Sequence, residues 1–449
     1  MKKNVLFLLI DGCRAREIFD TGNGSVTPNL DSLKKNGISY TNCFSSVDGT
    51  TMSLNCLFNS LNPNKTGLRS KKVLLTTNNY LEQLKNNDYH IYGFIPKVSS
   101  FDNMVDFFEN SNNSYFAGPP VVHISDTKNE IIKLINNIKE TNPWFCFIHL
   151  LDNSALRQEL PPYGIQNFYN EKFGETDYDK MLSSIDFGIG EILKCINLKD
   201  TIVIITSDHG SLIPFENKKL SDFEPSFKKE LDLGKKLLPK STHKISGKLI
   251  SNLKKTVRNY RFESSSKELS DYEKRSRLPY FKQSLFDENI QIPLIISNLE
   301  LEPNSIDDLM SNMDIFPTLF EIIGIKNIKN DIDGFSYFPK PDQNKIENKM
   351  IFLHTMPHEK IEEDDLEGIR TRKYKFFRSS THPEKNYHLY DIEIDPLENF
   401  NIVDKSPDIV KNLLQKIKDF KDQPLENISD ISDEEIRKIE KELKKLGYM

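Results

Sequence analysis

The chain has 449 residues, 37% hydrophobic and 28% charged, enough for a sizeable core and for about three domains at roughly 150 residues each, or one large α/β domain with an appendage. Its 66 acids and 60 bases leave a formal charge of −6, which excludes a nucleic-acid-coating protein and an acidic disordered one. No apolar run approaches the roughly 20 residues that a membrane-crossing helix needs.

The opening Met1-Lys2-Lys3, followed by Val5 to Ile10, has the outline of a signal peptide, but its apolar stretch is short and runs into Asp11 and Arg14, so a buried first strand is expected over Asn4 to Ile10. Helices are expected over Thr27 to Asn36 and Leu81 to Asn87, the second leading into a strand at His90 to Ile95. Asp126 is the expected N-cap of an amphipathic helix ending at Glu140, and the strand Trp144 to Leu151 follows. A helix over Tyr178 to Cys195 precedes Thr201 to Thr206, the most β-branched run in the chain. Ile292 to Ile296 reads as a strand, Asp314 to Ile323 as a helix, and Lys373 to Phe377 as a further strand. A terminal helix is expected with Ser432 and Glu435 as its capping box and Gly447 as its stop. Apolar strands separated by helices predict an α/β fold whose mostly parallel sheet is covered on both faces.

Between about residues 215 and 281 the texture changes. Lys235 to Arg261 carries nine basic residues and no Asp or Glu. It reads either as an exposed insertion or, with Leu237, Leu249 and Leu253 interleaved, as an amphipathic surface for peripheral contact with an anionic partner. Few aromatics accompany it, so no nucleic-acid partner is expected. The cysteines Cys13, Cys43, Cys56, Cys146 and Cys195 are scattered, form no C-x-x-C pair and suit a reducing, cytoplasmic setting.

In such sheets, catalytic groups collect at the carboxyl ends of strands. Two strands end in metal-binding residue types: the first at Asp11, and Thr201 to Thr206 at Ser207-Asp208-His209-Gly210. Each is either a helix cap or turn, or a ligand set for a divalent cation of the Zn, Mn or Ca type. The hydroxyl-rich Ser45 to Ser53 segment crosses from a strand into a helix. There Thr50, Thr51 and Ser53 either cap the helix, or one of them is a nucleophile facing an anion held at the helix start.

The order of these segments resembles that of the sulfatase family within the alkaline phosphatase superfamily. The matching landmarks are Asn4 to Arg14, Thr27-Pro28-Asn29-Leu30-Asp31-Ser32-Leu33, Asp200 to Gly210, Lys282 to Ile296, Asp314 to Leu319, Asp333-Gly334, and Leu389-Tyr390-Asp391 through Asn399. The resemblance implies a catalytic α/β domain over 1–335 and a smaller α+β subdomain over 336–449. It implies one divalent metal ion held by Asp11, Thr50, Asp208 and His209, with Thr50 at the nucleophile position and Lys282 as an anion-binding residue. His149 lies near where the family carries a substrate-contacting histidine, although the usual Pro-His is replaced by Asn153-Ser154.

The resemblance breaks at the nucleophile. Sulfatases place a Cys or Ser there, within C-x-P-S-R, and oxidise it to formylglycine; here the stretch is Thr50-Thr51-Met52-Ser53-Leu54. Threonine's extra methyl on Cβ prevents formation of that aldehyde. Gly49 to Phe58 is similar instead to the nucleophile turn of phosphoethanolamine transferases. The expected activity is therefore hydrolysis or transfer of a phosphate or phosphonate ester of a small molecule, glycan or lipid head group. Two alternatives stand beside it: a sulfuric ester hydrolase that works without formylglycine, and a non-catalytic relative that binds an anionic surface. No D-x-x-x-H occurs, so a second metal is not expected; His354 and His358 read as surface histidines, and Arg14 as the partner of a nearby acid.

Overall fold

The computed structural model describes residues 2–20, 24–63, 72–118, 122–157, 166–213, 223, 253, 256–277, 284–297, 302–326, 331–356, 365–423 and 437. It divides into two compact units, one formed by Met1–Ser211 with Gln283–Met449, the other by Leu212–Lys282.

In the first unit, β1 (Asn4–Ile10), α1 (Pro28–Lys35), β2 (Gly37–Phe44) and α2 (Thr50–Asn59) come first. Then follow α3 (Tyr80–Asn86), β3 (His90–Pro96), β4 (Ser114–Tyr115), α4 (Ile124–Ile138), β5 (Trp144–Leu150), α5 (Asp177–Leu193) and β6 (Thr201–Thr206). After the second unit the chain forms β7 (Gln291–Ser297), β8 (Asn304–Ile306), β9 (Met310–Ser311) and α6 (Ile315–Ile322). It ends, within the described residues, in β10 (Ile351–His354), β11 (Leu366–Arg370), β12 (Tyr374–Ser379), β13 (His388–Asp391) and α7 (Pro407–Lys421).

Among the described residues nine strands form one sheet in the order β4-β3-β5-β1-β6-β7-β2-β8, with β9 also on β2. All pairings are parallel except those of β7, which runs antiparallel to both β6 and β2. β1 lies at the centre, with both alternating sets of its side chains fully buried, so both faces of the sheet are covered. On one face Phe7 stacks on Phe316 of α6 at 5.8 Å, and Phe147 meets Phe58 of α2 edge-on at 5.3 Å. This aromatic layer seats α2, and so fixes where its first residue, Thr50, emerges at the carboxyl edge of the sheet.

The Thr27-Pro28-Asn29-Leu30 motif has a structural job. Asp186 of α5 accepts the backbone N–H groups of Asn29 (3.2 Å) and Leu30 (2.7 Å), capping α1 from another helix. Gly190, one turn on, leaves room for the Asn29 side chain, which a Cβ there would strike. In α4, Asp126 occupies the third helical position of a capping box with His123 as N-cap, a shift from its expected place as the cap itself.

The C-terminal strands form a separate antiparallel sheet, β10-β11-β12-β13. One of its faces shares a core with the large sheet through Phe44, Ile290, Leu353, Phe377 and Tyr390; the other is covered by α7 through Val410, Leu413 and Ile417. The second unit is described at Phe223, Leu253 and 256–277, where residues 256–265 are helical and Ser270 and Glu273 cap the helix Asp271–Ser276. Most of the basic stretch, Lys282, His358 and the expected terminal helix lie outside the described residues.

Candidate functional site

The carboxyl ends of β1 and β6 are adjacent because the two strands pair in register, Leu9 opposite Thr206. The next residues, Asp11 and Ser207-Asp208-His209, therefore meet at one edge. Gly12 adopts φ +59°, a left-handed conformation that lets its N–H reach Asp208 Oδ1 at 3.0 Å. The Ser207 hydroxyl accepts the Cys13 N–H at 2.8 Å and lies 2.6 Å from the His209 carbonyl and 2.7 Å from that of Ile10, so it ties the two strand ends together.

Asp11, Asp208 and His209 are at most 2% exposed. His209 Nδ1 lies 2.5 Å from the Gly210 carbonyl. A carbonyl can only accept, so Nδ1 carries the ring proton and Nε2 presents a lone pair. Nε2 is 3.4 Å from Asp208 Oδ2 and 3.9 Å from Asp11 Oδ1. Asp208 Oδ1 accepts from Gly12 and His209 N–H groups, whereas its buried Oδ2 has no hydrogen-bond donor among the described residues.

One ligand atom from each of the three residues thus lies within 4.8 Å of the others. Converging lone pairs, an orphaned carboxylate oxygen and an imidazole whose far nitrogen is pinned to a carbonyl are what a bound divalent cation requires of its protein ligands. These residues fit such an ion; mixed O and N donors leave its identity open among Zn, Mn and Ca.

Thr50 belongs to the same constellation. Its Oγ1 is 3.2 Å from Asp11 Oδ1 and 3.2 Å from His209 Nε2. It is partly exposed where the three acceptors are buried. The hydroxyls around it do not cap α2: the N-cap is Gly49, with no side-chain hydrogen bond. Ser53 Oγ instead donates to the Asp208 carbonyl at 2.6 Å, and Asn312 donates to Ser53 Oγ at 3.0 Å, bracing the helix against the β6 turn.

Two further residues hold the site, and neither is singled out by sequence reasoning. Asp48, two residues before Thr50, accepts the Met356 N–H at 2.7 Å and the Ser284 N–H at 3.0 Å. With the Val47–His354 bridge it fastens the turn before α2 to the end of β10. Burial pushes its carboxyl up to about 6, against the pull of those two N–H groups and of His209. Its sole trace in the sequence is an acid two residues before Thr50, which says nothing of its distant partners. Ser154 donates a hydrogen bond to Asp11 Oδ2, and in the sequence it stands out only as a departure from the family pattern.

His149 is fully buried on β5, with its ring near Phe101 and with neither ring nitrogen hydrogen-bonded among the described residues; burial lowers its pKa, and the charges of Asp208 and Asp11 partly oppose this. Arg14 lies 3.1 Å from Glu17, the expected pairing with a nearby acid. His354 corrects the sequence expectation: it is 6% exposed because β10 is packed between the turn before α2 and β11, and so it is not a surface histidine.

The sulfatase family model matches residues 3–325, and the model of the N-sulphoglucosamine sulphohydrolase C-terminal region matches residues 278–445. The chain belongs to the sulfatase family. Among curated relatives, arylsulfatase K of Bos taurus is 25% identical over 153 residues, 32% of this chain and 28% of its own length. A choline-sulfatase of Rhizobium meliloti (strain 1021) is 30% identical over 127 residues, 28% of this chain and 24% of its own length. The matched segments thus span about a quarter of these relatives. Among solved structures, a 2-O GAG sulfatase aligns with TM-score 0.62 and 15% identity over 94% of this chain and 92% of its own. A protein solved with its substrate D-glucosamine-2-N,6-O-disulfate aligns with TM-score 0.61 and 14% identity over 94% and 98%. At these identities the likeness is one of fold.

Proposed function

We propose that this sulfatase-family chain is a metal-dependent hydrolase or transferase of phosphate or phosphonate esters, with Thr50 as its nucleophile. The observation that carries the reading is the position of Thr50 Oγ1, 3.2 Å from both Asp11 Oδ1 and His209 Nε2. Asp11, Asp208 and His209, with Thr50, would hold one divalent cation. When bound, that ion supplies positive charge that lowers the hydroxyl pKa and offsets charge developing on the ester.

The chain's own residues account for the remaining chemistry. Asp11 Oδ1 lies 3.2 Å from Thr50 Oγ1 and has a second lone pair beside the one it would give the cation, so it can take the Thr50 proton as the oxygen forms a bond to phosphorus. The ester's alcohol oxygen leaves with its bonding pair, and phospho-Thr50 remains. Water, or an acceptor alcohol, then attacks phosphorus and the Thr50 oxygen departs. Backbone N–H groups in the first turn of α2, together with Lys282 in its resemblance-derived role, offset charge on the non-bridging oxygens. His149 would help shape the substrate side of the site.

A second reading has its own support: the relatives are named arylsulfatase and choline-sulfatase, and neighbours of this fold include a GAG sulfatase and a protein solved with a disulfated glucosamine as its substrate. Under it, Thr50 or water attacks a sulfate ester of a glycan or small alcohol. Thr50 cannot be converted to formylglycine, which favours phosphorus. Parallel assays with aryl sulfate, phosphate monoester, diester and phosphonate substrates decide between the readings. The proposal expects a preference for phosphorus; a sulfate preference abolished by Thr50→Ala would favour the second reading.

A further inference from the structure

The three acceptor residues share a design. Each has one polar atom anchored and another presented to the cluster. Asp208 Oδ1 is anchored by the Gly12 and His209 N–H groups, leaving Oδ2 presented. His209 Nδ1 is anchored by the Gly210 carbonyl, leaving Nε2 presented. Asp11 follows the same scheme, with Oδ1 presented 3.2 Å from Thr50 Oγ1 and Oδ2 receiving the Ser154 hydroxyl. The first two anchors are backbone groups, whereas that of Asp11 is a side chain.

We propose that Ser154 is a positioning residue of this site, whose hydroxyl fixes the rotation of the Asp11 carboxylate so that Oδ1 faces Thr50 and the cation position. The Asp11 backbone is already held, its N–H donating to the Leu150 carbonyl at 2.8 Å. That bond does not act on the terminal torsion of the carboxylate, a broad and roughly two-fold one. A hydroxyl donating to Oδ2 narrows that torsion, and hydrogen bonds to a carboxylate are among the stronger ones.

Ser154 is itself placed by rigid neighbours. It lies in the 3-10 turn Asp152–Arg157 directly after β5, with its N–H on the Leu151 carbonyl at 2.8 Å. Asp152 secures the turn by accepting the Ile124 N–H of α4 at 2.8 Å. Asp152 and Ser154 are each 1% exposed, so the hydroxyl is sheltered from competing water.

The inference rests on the reading of Asp11 as a cation ligand, and its test separates the two. Metal-stripped wild type, Ser154→Ala, Ser154→Thr and Asp11→Ala are titrated with Mn²⁺, Ca²⁺ and Zn²⁺ by calorimetry, with Tm recorded for each metal-free protein. Ser154→Ala is expected to bind about 10- to 100-fold more weakly than wild type, the usual cost of losing a partner of a metal ligand, with the metal-free protein still folded at a Tm lowered by the loss of one buried hydrogen bond. Ser154→Thr, which keeps the hydroxyl, is expected to restore most of the affinity. Equal affinity in wild type and Ser154→Ala overturns this inference and leaves the metal reading standing. Wild type that binds none of the three ions overturns both. If Ser154→Ala does not fold, Ser154→Cys, close in size with a weaker donor, is expected to show an intermediate loss; wild-type affinity there would overturn the inference.

Discussion

On the proposed reading Thr50, Asp11, Asp208 and His209 act as one unit, so removing any of them is expected to cost far more than a single hydrogen bond. Thr50→Ala is expected to lower kcat by on the order of 10³-fold or more, as loss of a nucleophile does, whereas Thr50→Ser, which keeps an oxygen at the same place, should retain measurable turnover. Initial-rate kinetics on the preferred ester checks both; Thr50→Ala with wild-type kcat would point to Thr51 instead. These four residues were legible in the sequence as a cluster because each lies within three residues of a strand end or opens a helix, so local order alone places it at the sheet edge. Ser154 and Asp48 were not: their partners lie 143 positions away at Asp11, and 236 and 308 away at Ser284 and Met356. Only the fold brings such partners together.

At the scale of elements, α2 is a lever whose tip is Thr50. It is seated by the Phe58 and Phe316 rings below and by Ser53, Asn312 and Asp48 above. Asn312→Ala removes the donor to Ser53 without touching the acceptor cluster, and is expected to lower kcat about 10-fold with little change in KM. A rise in KM at unchanged kcat would mean that Asn312 serves substrate binding rather than the placement of Thr50. The long-range cap of α1 makes a purely structural control. Asp186→Ala should destabilise the fold by about 1–2 kcal/mol in denaturant titration, with kcat unaltered. The large sheet was legible because its central strands are continuous apolar runs, the mark of burial on both faces. β2 was not, since Gly37-Ile38-Ser39-Tyr40-Thr41-Asn42 mixes polar residues into a strand near the sheet edge. Nor did the sequence announce that β7 turns antiparallel, because its apolar run is the same in either direction.

For the whole molecule, a buried ionic cluster ties the C-terminal sheet to Asp287, in the helical turn that leads into β7 of the large sheet. Lys375, fully buried on β12, lies 2.5 Å from Asp287 and 2.8 Å from Glu398, and Arg370 lies 3.4 Å from Asp287. Burial pushes Glu398 up to about 7, with Lys375 opposing and the charges of Asp287 and Glu288 adding to the rise. For Asp287, burial is outweighed by Lys375 and Arg370, and its carboxyl falls below the usual range.

The signs follow from linkage. Glu398, raised in the fold, contributes stability that is fully present below 4.5 and is lost as pH rises through about 7; Asp287, lowered, contributes stability present above 3.8 and lost in acid. Glu398→Gln should therefore gain stability relative to wild type between pH 5 and pH 8, read as the difference in Tm. A difference that stays flat over that range would show that Glu398 remains ionised throughout. Lys375→Met, which strands two buried carboxylates, is expected to cost about 3–5 kcal/mol. Cation binding also bears on the whole fold. Metal-stripped protein should be less stable than loaded protein by about 2.7 kcal/mol at 100-fold excess of ion over Kd, seen as a Tm rise on adding the ion back.

The central claim is that Thr50 takes up the transferred group. Acid-quenching the enzyme during turnover of its best phosphate or phosphonate ester, followed by high-resolution mass spectrometry of its peptides, tests this directly. The account predicts a phosphoryl or phosphonyl adduct on Thr50 that is absent from Thr50→Ala. An adduct on another residue, or turnover by Thr50→Ala at the wild-type rate, would contradict it.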